Sequence, residues 1–422
     1  MIYRILKKLN TLSKFKFYFL TTLPYSFGDS CEQISLANIH VKLKIHISKV
    51  VIILTPTIFP KLLKYHLCNN YLFNNIIIEN NDQFKFRKIK IFILFFLNIE
   101  FLIKRFYALF LKYIFNIVLK EDFFFPKIGI PKYFFQYKNS NDSKIPLFNF
   151  SESKIDLQRE IKEKCYNQLS KNGIVRQSKF ICLHIRDPKY RNDYNRRNIR
   201  NSSVNNYNDL IKFLIEKDYF IFRIGKVAEE KIHIKSNKII DYPFSDLKSD
   251  YMDLFLIKEC HYFIGNLSGP LECATMFNRP CFITDSTRVF EAPPRHKSSR
   301  SIFRDVIWKR NSEKLKFKDY IDMHINYHHW RFINDELDFI PNSSDQLLEE
   351  IKLFDVEFNN IKPQHINNTQ VLFNEYLFNS LHKKYSQLSE EIDKQYCQKL
   401  LFYLKNIKGS YSLNFLKKNG FN

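Results

Sequence analysis

Glycine is scarce in this chain: 8 residues in 422, against 43 phenylalanines and 24 tyrosines. Hydrophobic residues make up 45%, so a large core can be buried and intrinsic disorder is excluded. None of the eight cysteines forms a CxxC pair, and several sit in apolar runs such as FICLHI and PCFIT. That argues against a disulfide framework or a zinc site and fits reduced core thiols in a cytosolic protein. No small-residue cleavage site follows the short apolar run from Phe15 to Leu23, so a signal peptide is not expected. No uncharged apolar run reaches the ~20 residues that a membrane span needs. The most hydrophobic segment, Ile91 to Leu119, is broken by Glu100, Lys104, Arg105 and Lys112 and reads as a buried or membrane-skimming helix. Also missing are an internal repeat, a DxD-type metal motif in a suitable loop and a recognisable nucleic-acid module.

Positive charge is abundant. Lys+Arg 66 against Asp+Glu 43 gives +23, which suits an anionic membrane surface, an anionic substrate or nucleic acid. Much of the excess is scattered lysine, as in KKLNTLSKFKF and KFRKIK, and a bias in the coding DNA toward Lys, Asn, Ile and Phe explains it equally well. With no module to support it, a nucleic-acid partner is not expected.

The first third reads as a modified α/β unit. A Gly-Asp turn at Gly28 and Asp29 opens a helix over SCEQISLANIHVKL, and Val50 to Thr55 reads as a buried strand ended by Pro56. Ile76 to Ile78 is a second short candidate. Pro126, Pro131, Pro146 and the polar NSNDS make Phe123 to Phe150 loop-like, and a hydroxyl cap at Ser151 or Ser153 predicts a helix after it.

The middle is clearer. Lys179 to Arg186, Tyr219 to Gly225, Lys238 to Tyr242, His261 to Gly265 and Pro280 to Thr284 are short apolar strands, with helical segments between most of them. That rhythm predicts βαβ units and a parallel, doubly wound sheet covered on both faces.

Ligands of such sheets bind beyond the carboxyl ends of the strands. The first strand ends in His184, Arg186 and Asp187, the second in Arg223 and Gly225. The fourth ends in Gly265, Asn266, Ser268 and Gly269, before a helix that starts near Pro270. Two arginines can grip phosphate oxygens bidentately, and a helix N-terminus offers free amides and a positive dipole end. Glu272, in the first turn, can accept from ribose hydroxyls. The residues therefore converge on a phosphate-bearing ligand. Asp250 and Asp253, in DYMD, either contact base or ribose or cap their helix. His324 and His328 have metal-ligand spacing if helical, but a structural role for that cluster is favoured.

CLHIRD, FRIGK, SDYMDLFLIKECHYFIGNLSGP and NRPCFIT together resemble a family of bacterial glycosyltransferases of the two-Rossmann-domain (GT-B) type. LKFKDYIDM, LDFIPNSSDQLLEEIK and YSLNFLKKNG extend the likeness to the C-terminus, and it continues weakly through the first third. His184-x-Arg186 followed by an acid is also similar to O-fucosyltransferases and nodulation-type fucosyltransferases, where the arginine binds the donor diphosphate. The resemblance implies an α/β fold with two Rossmann-type domains facing a cleft. The acceptor domain would span 1–150, a linker helix 151–177, the donor domain 178–360 and a helical C-terminal segment 361–422. It implies transfer of a hexosyl or deoxyhexosyl group from a nucleoside-diphosphate sugar, the substrate, to a hydroxyl of a cell-surface glycan or lipid-linked acceptor. Inversion without metal or other cofactor is expected. His184, Arg186, Arg223, Gly225, Asp250, Ser268, Gly269 and Glu272 are the candidate donor contacts. The Gly28-Asp29 dipeptide is similar to a loop of heptosyltransferases, which implies Asp29, or failing it Glu32, as base. Arg186 joins it as a catalytic candidate by stabilising the leaving diphosphate. The expected location is cytoplasmic, with peripheral contact at the inner membrane face. The alternative is a non-catalytic binding or assembly protein on the same fold.

Overall fold

The strand spacing of the middle segment leads to one sheet in the computed structural model. The residues described are 18–20, 27–28, 31, 35, 50–54, 76–78, 85–89, 155–190, 198–287, 289, 294–326, 336–360, 367–387, 401, 404 and 407–422. The chain divides into two compact units, Met1–Ile145 and Pro146–Asn422.

In the first unit, β1 (Tyr18–Leu20), β2 (Val50–Leu54) and β4 (Lys85–Ile89) form a parallel sheet in the order β1-β2-β4, while β3 (Ile76–Ile78) lies apart from it. Cys31 and Ser35 are helical, as the sequence predicts, but Phe27 and Gly28 are helical too, so Gly28 does not form the turn expected to open the helix. Interspersed lysines make KFRKI look like a solvated segment, yet it forms β4. Asp29, Glu32 and the apolar segment Ile91 to Leu119 lie outside the described residues.

The second unit begins with β5 (Ile155–Leu157) and α1 (Arg159–Ser170). The helix starts later than the serine-cap signal predicts. Ile155 and Leu157 are buried on either side of half-buried Asp156, a period of two that belongs to a strand. Gln158 stands at the cap without a side-chain bond.

Seven strands then form one parallel sheet. They are β6 (Phe180–His184), β7 (Phe220–Arg223), β8 (Ile239–Ile240), β9 (Phe263–Gly265), β10 (Cys281–Ser286), β11 (Arg300–Phe303) and β14 (Ser410–Tyr411), in spatial order β14-β11-β10-β9-β6-β7-β8. Counted from β6, the first six follow the 3-2-1-4-5-6 order of a Rossmann sheet. The direction of strand addition reverses between β6 and β9, where His184 lies opposite Gly265.

The right-handed crossover rule puts α2 (Asn208–Glu216) on one face of the sheet and α3 (Asp250–Glu259) and α4 (Gly269–Met276) on the other. The core follows this division. Ile181, Leu183, Ile221, Ile264 and Phe282 form one cluster with Leu210, Ile211 and Leu214 of α2 and with Leu347, Ile351 and Phe354 of α6 (Ser344–Asn359). Each such side chain contributes roughly 1.5–3 kcal/mol when fully buried. The alternate residues Phe180, Cys182, Phe222 and Phe263 are buried outside that cluster. The six described cysteines are buried and unbridged.

The remaining elements close the far edge. β12 (Asp305–Trp308) and β13 (Leu337–Ile340) form an antiparallel pair, with α5 (Phe317–Asn326) between them. α7 (Asn368–Gln387) precedes β14, and α8 (Leu413–Lys418) follows it. The C-terminal segment, expected to be helical, thus also contributes an edge strand. Tyr411 stacks on Phe303 at 5.2 Å, which ties that strand to the core. No helix of the described residues is long and apolar enough to cross a membrane.

Candidate functional site

A reversal of strand order leaves a crevice beyond the carboxyl ends of the two strands that flank it. Here those strands are β6 and β9. A Cβ on Gly265 would lie 2.7 Å from the His184 carbonyl oxygen and 2.9 Å from the Phe263 ring, so glycine is what allows β9 to lie this close to β6. Gly225 is different: a Cβ there meets nothing nearer than 3.6 Å, so packing does not demand a glycine.

Asn266 follows β9 and is fully buried. Its Oδ1 accepts from the Arg186 amide at 3.0 Å, and its Nδ2 donates to the Arg200 carbonyl at 2.9 Å. One side chain thus fixes the segment after β6 and a second loop. Arg186 is buried to 8% exposure directly at the crevice.

Ser268 caps α4 and accepts from the Leu271 amide. Pro270 has no amide proton, so the donors this helix end can offer a ligand are the Gly269 amide and the Ser268 hydroxyl. That is a narrower anion site than a helix start without proline. Glu272, in the first turn, pairs with Arg295 at 2.9 Å.

Arg223 is placed at the same edge, but its guanidinium is engaged. Nε donates to Asp241 Oδ1 at 2.6 Å, and the pair is largely buried. Asp241 Oδ2 also accepts from the Ile232 amide at 2.9 Å. Phe244, 44% exposed just beyond β8, has Arg223 at 5.5 Å and the exposed Lys231 at 5.0 Å from its ring centre. Asp250 opens α3, whose cap is Ser249; the DYMD carboxylates do not serve as the cap.

His184 Nδ1 lies 3.1 Å from the Ile224 carbonyl, which can only accept, so Nδ1 carries the proton and Nε2 the lone pair. Burial is the main force pulling its pKa down, from the ordinary 6.5 to about 4, and Arg186 and Arg223 add to it. His184 therefore brings an acceptor to the site near neutrality and no positive charge.

The sign of the linkage follows. The unfolded chain protonates this histidine near 6.5 and the folded chain only near 4, so its contribution is complete above 6.5 and is lost as pH falls toward 4. His296, lowered to about 4 chiefly by burial, acts in the same direction. Asp253, raised to about 6 chiefly by burial, opposes them between pH 6 and 4. The thermal midpoint is expected to fall from pH 6.5 to 4, and less steeply in His184→Gln, whose amide can still donate to Ile224. Parallel pH profiles of the two proteins, measured by thermal unfolding, would refute the assignment.

The sequence reading missed a polar hub at the end of β10. Asp285 is fully buried with φ at +52°, inside an irregularity of the β10–β11 pairing. Oδ1 accepts from Arg304 Nε at 3.1 Å and from the Asn342 amide at 2.7 Å. Oδ2 accepts from the Ser202 hydroxyl at 2.8 Å and the Tyr207 hydroxyl at 2.9 Å. The sequence signal was faint: an acid directly after a continuous apolar strand.

His184, Arg186, Arg223, Ser268 and Gly269 thus share one edge of the sheet, as expected. Asp29 lies outside the described residues, as do His328 and His329. No group of three or more potential metal ligands occurs among the described residues. Comparison of the chain with protein-family models, curated proteins and solved structures finds no match.

Proposed function

We propose that the second unit binds a nucleoside-diphosphate sugar at the β6/β9 crevice and that the chain is a glycosyltransferase of the GT-B-like, two-Rossmann-domain kind. The observation that carries this reading is the coincidence of the strand-order reversal with Arg186 on one side and the Ser268-capped start of α4 on the other. A diphosphate is held well by a guanidinium and by donors at a helix start, and this edge supplies Arg186, the Gly269 amide and the Ser268 hydroxyl.

In this reading Arg186, the Gly269 amide and the Ser268 hydroxyl receive the charge that develops on the departing diphosphate. Arg223 acts through its pair with Asp241, shaping the edge and adding to its potential. Glu272, oriented by Arg295, accepts from ribose hydroxyls. Phe244 offers a face on which a base can stack. The bond from the anomeric carbon to the diphosphate breaks as an acceptor hydroxyl forms a new glycosidic bond on the opposite face. Asp29 takes the hydroxyl proton, a role carried by resemblance alone. The acceptor is assigned to the surface-glycan or lipid-linked class on the same ground.

Asp29→Asn is expected to abolish transfer from the donor identified by screening UDP-, GDP- and CDP-sugars, while donor affinity stays within about twofold of wild type. Product release from the labelled donor sugar measures the first, and calorimetry the second. Retained turnover moves the base to another residue.

A further inference from the structure

Five of the described glycines lie outside helices. Gly173 and Gly420 adopt positive φ, +76° and +83°, which favours glycine. Gly265 and Gly409 have backbone neighbours 2.7 and 2.5 Å from where a Cβ would stand. Gly225 shows neither constraint. Its φ lies outside the left-handed region, and the nearest atom to a Cβ, the Val227 carbonyl oxygen, is 3.6 Å away. In a chain with only 8 glycines, this one has no reason inside the fold. Close approach of a ligand to the backbone is a further use of glycine at a strand end.

The setting is open to a ligand. Gly225 is half-buried, and its amide and carbonyl make no hydrogen bond to a described residue. Pro243 Cγ lies 3.7 Å from the Cβ position, which sets Gly225 beside the segment that carries Phe244. Phe244 is 44% exposed, with Lys231 and Arg223 at 5.0 and 5.5 Å from its ring centre. The patch is thus aromatic and cationic at once, a combination suited to a planar ring carried on an anion. It continues from the crevice: the Ile224 carbonyl, next to Gly225, accepts from His184, two residues before Arg186. β8 lies two strands from β6, roughly 10 Å, a span for ribose and diphosphate to bridge.

We infer that Phe244 and Gly225 form the seat of the donor base, Phe244 holding its face and Gly225 reading its edge. Stacking accepts any base, whereas the Gly225 amide and carbonyl supply one donor and one acceptor that tell base edges apart. The inference rests on the glycosyltransferase reading, because the diphosphate beside Arg186 is what brings a base to this patch.

Calorimetry with UDP, GDP, CDP and ADP tests it. Wild type is expected to prefer one of the four by about tenfold. Phe244→Ala is expected to lose roughly tenfold on every nucleotide that wild type binds, and Phe244→Tyr to stay within about twofold of wild type. Gly225→Ala has room for its methyl group in the free protein and is expected to keep the thermal midpoint. That methyl group holds the base off the backbone, so the preferred nucleotide is expected to fall to the level of the others. Arg186→Ala is expected to weaken all four and keep the preference. Preference retained in Gly225→Ala, affinity retained in Phe244→Ala, or no preference in wild type would overturn the inference. A drop in the midpoint of Gly225→Ala would give the glycine a structural role and overturn it too. If wild type binds none of the four, the glycosyltransferase reading fails first, and this inference with it.

Discussion

Replacing Asp285 with alanine is expected to destabilise the second unit by about 3–5 kcal/mol, the range for breaking a buried ion pair by removing one partner. The loss has three sources. Arg304, 2% exposed, keeps its charge in the interior without the carboxylate. The Ser202 and Tyr207 hydroxyls and the Asn342 amide lose their acceptor. Alanine must also occupy φ +52°, where a Cβ without a polar group is disfavoured by roughly 1–2 kcal/mol. Pairing the change with Arg304→Met removes the stranded charge and is expected to recover part of the loss. Urea unfolding followed by far-ultraviolet circular dichroism measures all three proteins. A loss below about 1 kcal/mol for Asp285→Ala would show that the hub does not hold this edge together.

The hub matters to function through the chain it fastens. Asp285 orients Arg304, and Arg304 holds the Asn201 carbonyl. Asp285 also holds Ser202, whose amide reaches the Arg186 carbonyl. Loosening the end of β10 therefore loosens the crevice two strands away. Ligand affinity in Asp285→Asn, which tolerates the same backbone conformation, is expected to fall together with stability.

The parallel sheet was legible in the sequence because its strands are buried on both faces. FICLHI, YFIFRI and PCFIT are continuous apolar runs, and the helical segments repeat at the spacing of βαβ units. The strand order was not in the pattern. At the reversal β6 and β9 approach so closely that a Cβ on Gly265 would clash with the His184 carbonyl. Short elements with ambiguous signals were missed: β4 was hidden by its lysines, and β14 by having only two residues. Of the candidate site, residues at strand ends could be located from position alone. The ion-pair partners of Arg223 and Glu272 were not legible, because Asp241 and Arg295 come from other segments and no periodicity reports such pairs.

Arg186 carries the second large effect. Its backbone is pinned by Asn266 and Ser202, so truncation to alanine removes the guanidinium and leaves those bonds in place. The diphosphate is then expected to lose its bidentate partner. Two charge-assisted hydrogen bonds at about 1.5 kcal/mol or more each give roughly a hundredfold loss of affinity. Arg223→Ala is the informative contrast. Because that guanidinium already serves Asp241, its removal is expected to lower stability more than affinity.

The most direct measurement is calorimetric titration of wild type, Arg186→Ala and Arg223→Ala with UDP-, GDP- and CDP-sugars. The predicted result is saturable binding of one nucleotide class by wild type, a loss of about a hundredfold in Arg186→Ala, and a smaller loss in Arg223→Ala. Equal binding by wild type and Arg186→Ala, or no binding of any sugar nucleotide by wild type, would contradict the assignment of this edge as a diphosphate site.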